Sequence, residues 1–71
     1  MSREGRLLLA KRLRQLRQRY RYTQQMVAEK ARLDYKYYQS IEGKHPPNVT
    51  FDSLQCLAKA FGISLSELLK F

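Results

Sequence analysis

The chain is poor in the residues that staple or punctuate small domains: one cysteine, no tryptophan, two prolines and three glycines. A lone thiol, Cys56, excludes an internal disulfide, and with His45 it cannot supply the four ligands of a structural zinc site. No general base or orienting group is placed beside Cys56 to make it a nucleophile, so no catalytic constellation is visible. Gly5, Gly43 and Gly62 are dispersed and form no phosphate-cradling loop. The longest apolar run, Leu7 to Ala10, falls far short of the roughly 20 residues that span a bilayer, and no signal-peptide pattern opens the chain. Neither export nor membrane insertion is expected, and the cytoplasm is the expected location. No stretch alternates apolar and polar residues, which argues against strands.

What is abundant is positive charge, and it is uneven. Residues 1–36 carry Arg3, Arg6, Lys11, Arg12, Arg14, Arg17, Arg19, Arg21, Lys30, Arg32 and Lys36 against Glu4, Glu29 and Asp34. Residues 37–71 carry Lys44, Lys59 and Lys70 against Glu42, Asp52 and Glu67, so the whole net charge of +8 sits in the first half. Such asymmetry concentrates polyanions at one surface, nucleic acid before anionic membrane. A merely solvated basic face is the competing reading.

Helical periodicity organises the chain into one all-α domain, residues 1–71, with residues 1–5 expected as a flexible N-terminal arm. Leu9, Leu13, Leu16 and Tyr20 share one face of a first helix. Thr23 caps a second helix with Val27, Ala28 and Ala31 inward; Asp34 caps a third with Tyr38 and Ile41 inward, closing at Gly43, which takes the left-handed terminating conformation without strain. Two prolines, Pro46 and Pro47, stop any helix there. Thr50 caps a fourth helix carrying Phe51, Leu54, Leu57, Ala58 and Phe61 and ended by Gly62, and Ser64 to Glu67 reads as a capping box before a fifth short helix. The predicted core is these residues with Leu33, Ile63, Leu65, Leu68 and Leu69, enough apolar surface for a thin core.

Residues 23–43 are the specific segment. Two helices joined by a turn of about three residues around Leu33, with small Ala28 mid-helix, have helix-turn-helix spacing, which leaves the second helix protruding with its first turn free to enter a DNA major groove. From Leu13 to Leu69 the chain resembles the phage-repressor/Cro-type helix-turn-helix domains, the lambda-repressor-like family. The resemblance rests on Leu16-Arg17, Thr23-Gln24, Val27-Ala28, Ile41-Glu42 before Gly43, the run Leu57 to Ile63, and Ser64 to Leu69. It implies five short helices, sequence-specific binding of double-stranded DNA as a transcriptional regulator, usually a repressor, and often a two-fold homodimer. It also implies a salt bridge between Arg17 and Glu42 tying the first helix to the third. The chain departs from the family pattern at Arg21 and Arg32, where relatives usually carry Gly, and at Met26, where they tend to be polar.

On the outward face of the third helix the candidate base readers are Tyr35, Lys36, Tyr37 and Ser40, with Lys36 suited to guanine O6 and N7 and the tyrosines to a thymine methyl or a phosphate. A solvated helix face is the alternative. Gln24, at the positive end of the second helix dipole, is placed to meet a phosphate, and in the family it also braces the reading helix. Arg6, Arg12, Arg19, Arg21, Arg32 and Lys44 are further phosphate candidates, each against ordinary solvation. Leu68, Leu69 and Phe71 form a candidate dimer surface or else close the monomer core. The expectation is therefore a bacterial or phage DNA-binding regulator with no enzymatic activity, metal, cofactor or membrane contact. The alternative is an antitoxin-like or adaptor protein that binds a protein partner and uses DNA binding for autoregulation.

Overall fold

Five helices begin at five side-chain caps. Ser2, Thr23, Asp34, Thr50 and Ser64 each accept a hydrogen bond from the backbone N–H three residues on, at 3.0–3.1 Å, satisfying a donor that the first turn leaves free. The computed structural model describes residues 1–71 as α1 (Arg3–Tyr20), α2 (Gln24–Ala31), α3 (Tyr35–Ile41), α4 (Phe51–Phe61) and α5 (Leu65–Leu68), with no strand. Helix α1 begins at Arg3, so the expected arm over residues 1–5 is corrected: only Met1 and Ser2 precede the first turn. Arg6 then ties that turn to the proline-containing loop by donating to Asn48 Oδ1 at 2.9 Å.

Three helices end alike. Arg21, Arg32 and Gly62 follow α1, α2 and α4 in the left-handed conformation, with φ of 59°, 58° and 69°. The next residue in each case, Tyr22, Leu33 or Ile63, sends its N–H back to a carbonyl of the last turn at 2.9–3.0 Å and lays its apolar side chain on the core. Only Gly62 adopts this backbone free of Cβ crowding; at Arg21 and Arg32 it costs on the order of 1–2 kcal/mol each. Gly43 is not left-handed, contrary to expectation. Helix α3 ends through Glu42 at φ −83°, and Gly43 fits because a Cβ there would come within 3.3 Å of the Ser40 carbonyl oxygen.

Helix α2 lies at the centre, packed on α3 and α4, and α5 closes the base against α4. Leu9, Leu13 and Leu16 of α1, Val27, Ala28 and Ala31 of α2, Tyr38 and Ile41 of α3, Leu54, Leu57, Ala58 and Phe61 of α4, and Leu68 of α5 form one core. Each larger aliphatic contributes about 1.5–3 kcal/mol by burial. Phe51 does not join them: it occupies the first position of α4, which overhangs the core, and is 61% exposed. An aromatic cluster completes the packing, with Tyr20 edge-on to Tyr22 and to Phe61, and Tyr22 stacked on Phe61 at 5.9 Å.

The carboxyl end corrects three further expectations. Leu68 is fully buried within the monomer, so it is unavailable to a dimer surface; Leu69 is half-buried, and of the three only Phe71 is well exposed, at 55%. Arg12 is committed to α5, donating to the carbonyl oxygens of Glu67 at 2.9 Å and Leu68 at 3.3 Å. It caps the carboxyl end of that helix, where a cation also meets the negative dipole end, rather than pointing to a phosphate. Half of the predicted capping box forms: Ser64 Oγ accepts from the Glu67 N–H, while the Glu67 carboxylate turns toward Lys70 at 3.6 Å and Arg12 at 3.9 Å.

Candidate nucleic-acid interface

The short α3 owes its orientation to a polar network at its carboxyl end. Tyr38 and Glu42 are four residues apart, on the inner side of the helix, and the Tyr38 hydroxyl donates to Glu42 Oε2. Arg17 reaches across from α1 with Nε to Glu42 Oε2 at 2.7 Å and Nη2 to Oε1 at 3.0 Å, while its Nη1 holds the Tyr22 carbonyl at 3.2 Å. Gln24, the first residue of α2, donates to Glu42 Oε1 at 3.1 Å, and Arg14 donates to the Glu42 backbone carbonyl. One carboxylate therefore binds three helices together.

Burial by itself pushes the Glu42 carboxyl pKa up, but the hydrogen bonds from Arg17, Tyr38 and Gln24 outweigh it and hold the group below its ordinary value. The bond to Glu42 correspondingly raises Arg17, and burial raises the Tyr38 hydroxyl well above the usual tyrosine range. The group is thus a fixed carboxylate with a fixed cation and a neutral phenol, a rigid base for the helix that projects from it.

At the other end of α3 the surface is open. Tyr35 and Lys36 occupy the first turn and are exposed, as are Gln39 and Ser40 one turn on. Ser40 Oγ donates to the Tyr37 carbonyl at 2.6 Å. Tyr37 is placed differently from its expected reading position: it is half-buried and packs against the core, leaving Tyr35 as the tyrosine on the free face. Gln39, which sequence reasoning passed over, donates from Nε2 to Gln24 Oε1 at 3.3 Å, so the two glutamines bridge α2 and α3 beside Tyr35. The signal for it was its spacing, four residues after Tyr35 on the same side of the helix.

Tyr35, Gln24, Gln25 and Arg21 surround one shallow hollow of about 450 Å³, where the end of α1 meets the starts of α2 and α3. Thr23, the cap of α2, and the first-turn residues Gln24 and Gln25 line it. Met26, which carries no polar head, completes that cap: its Sδ accepts the Thr23 N–H at 3.5 Å, a thioether standing where a capping box usually has a Glu or Gln. Arg19 and Arg32 are exposed, each at the carboxyl end of its helix. Lys44 is also exposed but lies at the opposite end of α3, in a separate hollow with Leu7 and Arg14. No group of three or more His, Cys, Asp or Glu side chains comes together, and no helix is long and apolar enough to cross a membrane.

Two capped helices joined by a three-residue turn, the second locked at its base and free at its first turn, define a helix-turn-helix domain. The pattern of the helix-turn-helix domain family matches residues 10–70, nearly the whole chain, and the protein belongs to that family, of the Cro/C1 or lambda-repressor-like type. Domains of this type bind DNA and are typically non-catalytic. No curated protein and no solved structure shows a significant match to the chain.

Proposed function

We propose that the domain is a sequence-specific transcriptional regulator that represses by covering its operator. In this reading α3 enters the major groove, Lys36 donates to a guanine edge and Tyr35 meets a neighbouring thymine methyl or phosphate, with Ser40 and Gln39 further along the same face. Gln24 and the first turn of α2 rest on the phosphate backbone, joined by Arg19, Arg21 and Arg32, which supply affinity without sequence information. The observation that carries this reading is the pairing of an exposed Tyr35 and Lys36 with a network that fixes the far end of their helix. Such work belongs in the cytoplasm of a bacterial or phage-infected cell. A homodimer through Phe71 and Leu69 would bring two reading helices onto successive major grooves, about 34 Å apart.

Selection of bound fragments from random-sequence duplexes tests the proposal. Enrichment of one motif, retained in moderate salt, is the expected result; equal retention of all duplexes would leave only charge-driven binding.

A further inference from the structure

Helix α1 buries Leu9, Leu13 and Leu16, yet it leaves two neighbouring leucines outside: Leu7 is 37% and Leu8 45% exposed. Together with Glu4, Lys11 and Arg14 they line a depression of about 450 Å³ on the outer side of the helix. A second hollow, of about 470 Å³, adjoins it across Leu7 and Arg14 and adds Gly43 and Lys44. The two leucines are thus framed by Lys11, Arg14 and Lys44 against one exposed carboxylate, Glu4; the other acid nearby, Glu42, is buried and held by Arg17.

We propose that this face docks an acidic, amphipathic helix of a partner protein, seated with its apolar side on Leu7 and Leu8 and its carboxylates on Lys11, Arg14 and Lys44. Two exposed leucines give such a helix an apolar anchor, and the surrounding cations select its charge. The face is distinct from the DNA side: Arg14 holds the carboxyl end of α3 through the Glu42 carbonyl, whereas Tyr35 sits at that helix's start beside Arg21. A phosphate backbone offers the leucines nothing apolar to cover. A second copy seated on Leu7 and Leu8 would set the same cation frame against itself in a molecule of net charge +8, whereas the Phe71 contact proposed above borders this face only at Leu8 and Lys11. A bilayer asks for a continuous apolar stripe, but the outer side of α1 turns polar after one turn, at Lys11, Arg14, Gln15 and Gln18.

The test uses the full chain and a fluorescent helical peptide bearing leucines at i, i+3 and i+7 flanked by glutamates, with Glu→Gln and Leu→Ser versions of the peptide as controls. The proposal expects saturable binding of the acidic peptide, with backbone amide shifts confined to the outer side of α1 and the Lys44 loop. It expects at least about tenfold weaker binding for the Leu7→Ser/Leu8→Ser double variant, for Lys11→Glu and for either control peptide, since loss of a central anchor typically costs a factor of that size. Both protein variants should remain folded at the assay temperature and keep the parent's duplex binding, which separates this face from the DNA-reading one. It is overturned if the peptide fails to bind at millimolar concentration, if the shifts appear around Tyr35 and Arg21, or if the double variant binds as the parent does. It is equally overturned if anionic phosphatidylserine vesicles bind α1 more tightly than the peptide, or if sedimentation shows a dimer that the double variant abolishes.

Discussion

Arg17 and Glu42, 25 residues apart, meet in a two-pronged hydrogen bond, and the Glu42 side chain is only 2% exposed. Removing the guanidinium would strand a buried carboxylate whose remaining donors, Tyr38 and Gln24, cannot neutralise it. Arg17→Ala is therefore expected to cost about 3–5 kcal/mol, a large fraction of the stability of a domain this small. Urea unfolding checks it against Arg19→Ala, an exposed arginine on the same helix that should change stability by no more than about 0.5 kcal/mol.

The same network sets a pH window. Glu42 ionises more readily folded than unfolded, so the unfolded chain takes up a proton first as pH falls below about 4.5 and the stability of the network is lost on the acid side. Tyr38 has the opposite sign: its raised folded pKa means that the unfolded chain releases a proton first above about 10, and stability declines there too. Thermal melting across the pH range should show a plateau between these limits. Glu42→Gln should lower the plateau and reduce the acid slope, and Tyr38→Phe should reduce the alkaline one.

Arg21 and Arg32 hold a backbone conformation that favours glycine. Arg21→Gly and Arg32→Gly should each stabilise the domain by about 1 kcal/mol, offset partly by the greater freedom of glycine in the unfolded chain. If these side chains serve phosphates, each substitution should at the same time weaken duplex binding and reduce the dependence of affinity on salt by about one counterion. Paired measurements of unfolding and of binding at several salt concentrations check both halves. Greater stability with unchanged salt dependence would remove that arginine from the DNA contact.

Leu68 is completed by its own chain, with Arg12 capping the helix that carries it. Leu68→Ala should cost about 2–5 kcal/mol by leaving a cavity, and the loss should be independent of protein concentration. A concentration-dependent melting temperature would instead place Leu68 between two copies.

Local chemistry made much of this fold legible. Thr23, Asp34, Thr50 and Ser64 announce their helices because a cap needs only its own next three residues, and the inward positions of α2 and α3 follow from helical period. Tyr35 and Lys36 could be placed on the outer side of α3 for the same reason. What was hidden depends on partners remote in the chain or on unusual chemistry. Arg12 meets carbonyls 55 and 56 residues away, and no pattern around Arg12 announces them. Phe51 follows the apolar spacing of α4 but lies at the end that overhangs the core. Met26 closes a cap through sulfur, a role that residue type alone does not suggest. Gly43 has the residue type and position of a left-handed terminator, yet crowding by the Ser40 carbonyl is what favours glycine there.

The most direct measurement compares the base preferences of the parent and Lys36→Ala at each position of a selected duplex. Lys36 donating to a guanine edge predicts a preference lost by about 1–3 kcal/mol at one base pair and retained at the others. A uniform drop in affinity across all sequences, with every preference intact, would make Lys36 a phosphate contact and contradict its role as the reader of a guanine edge.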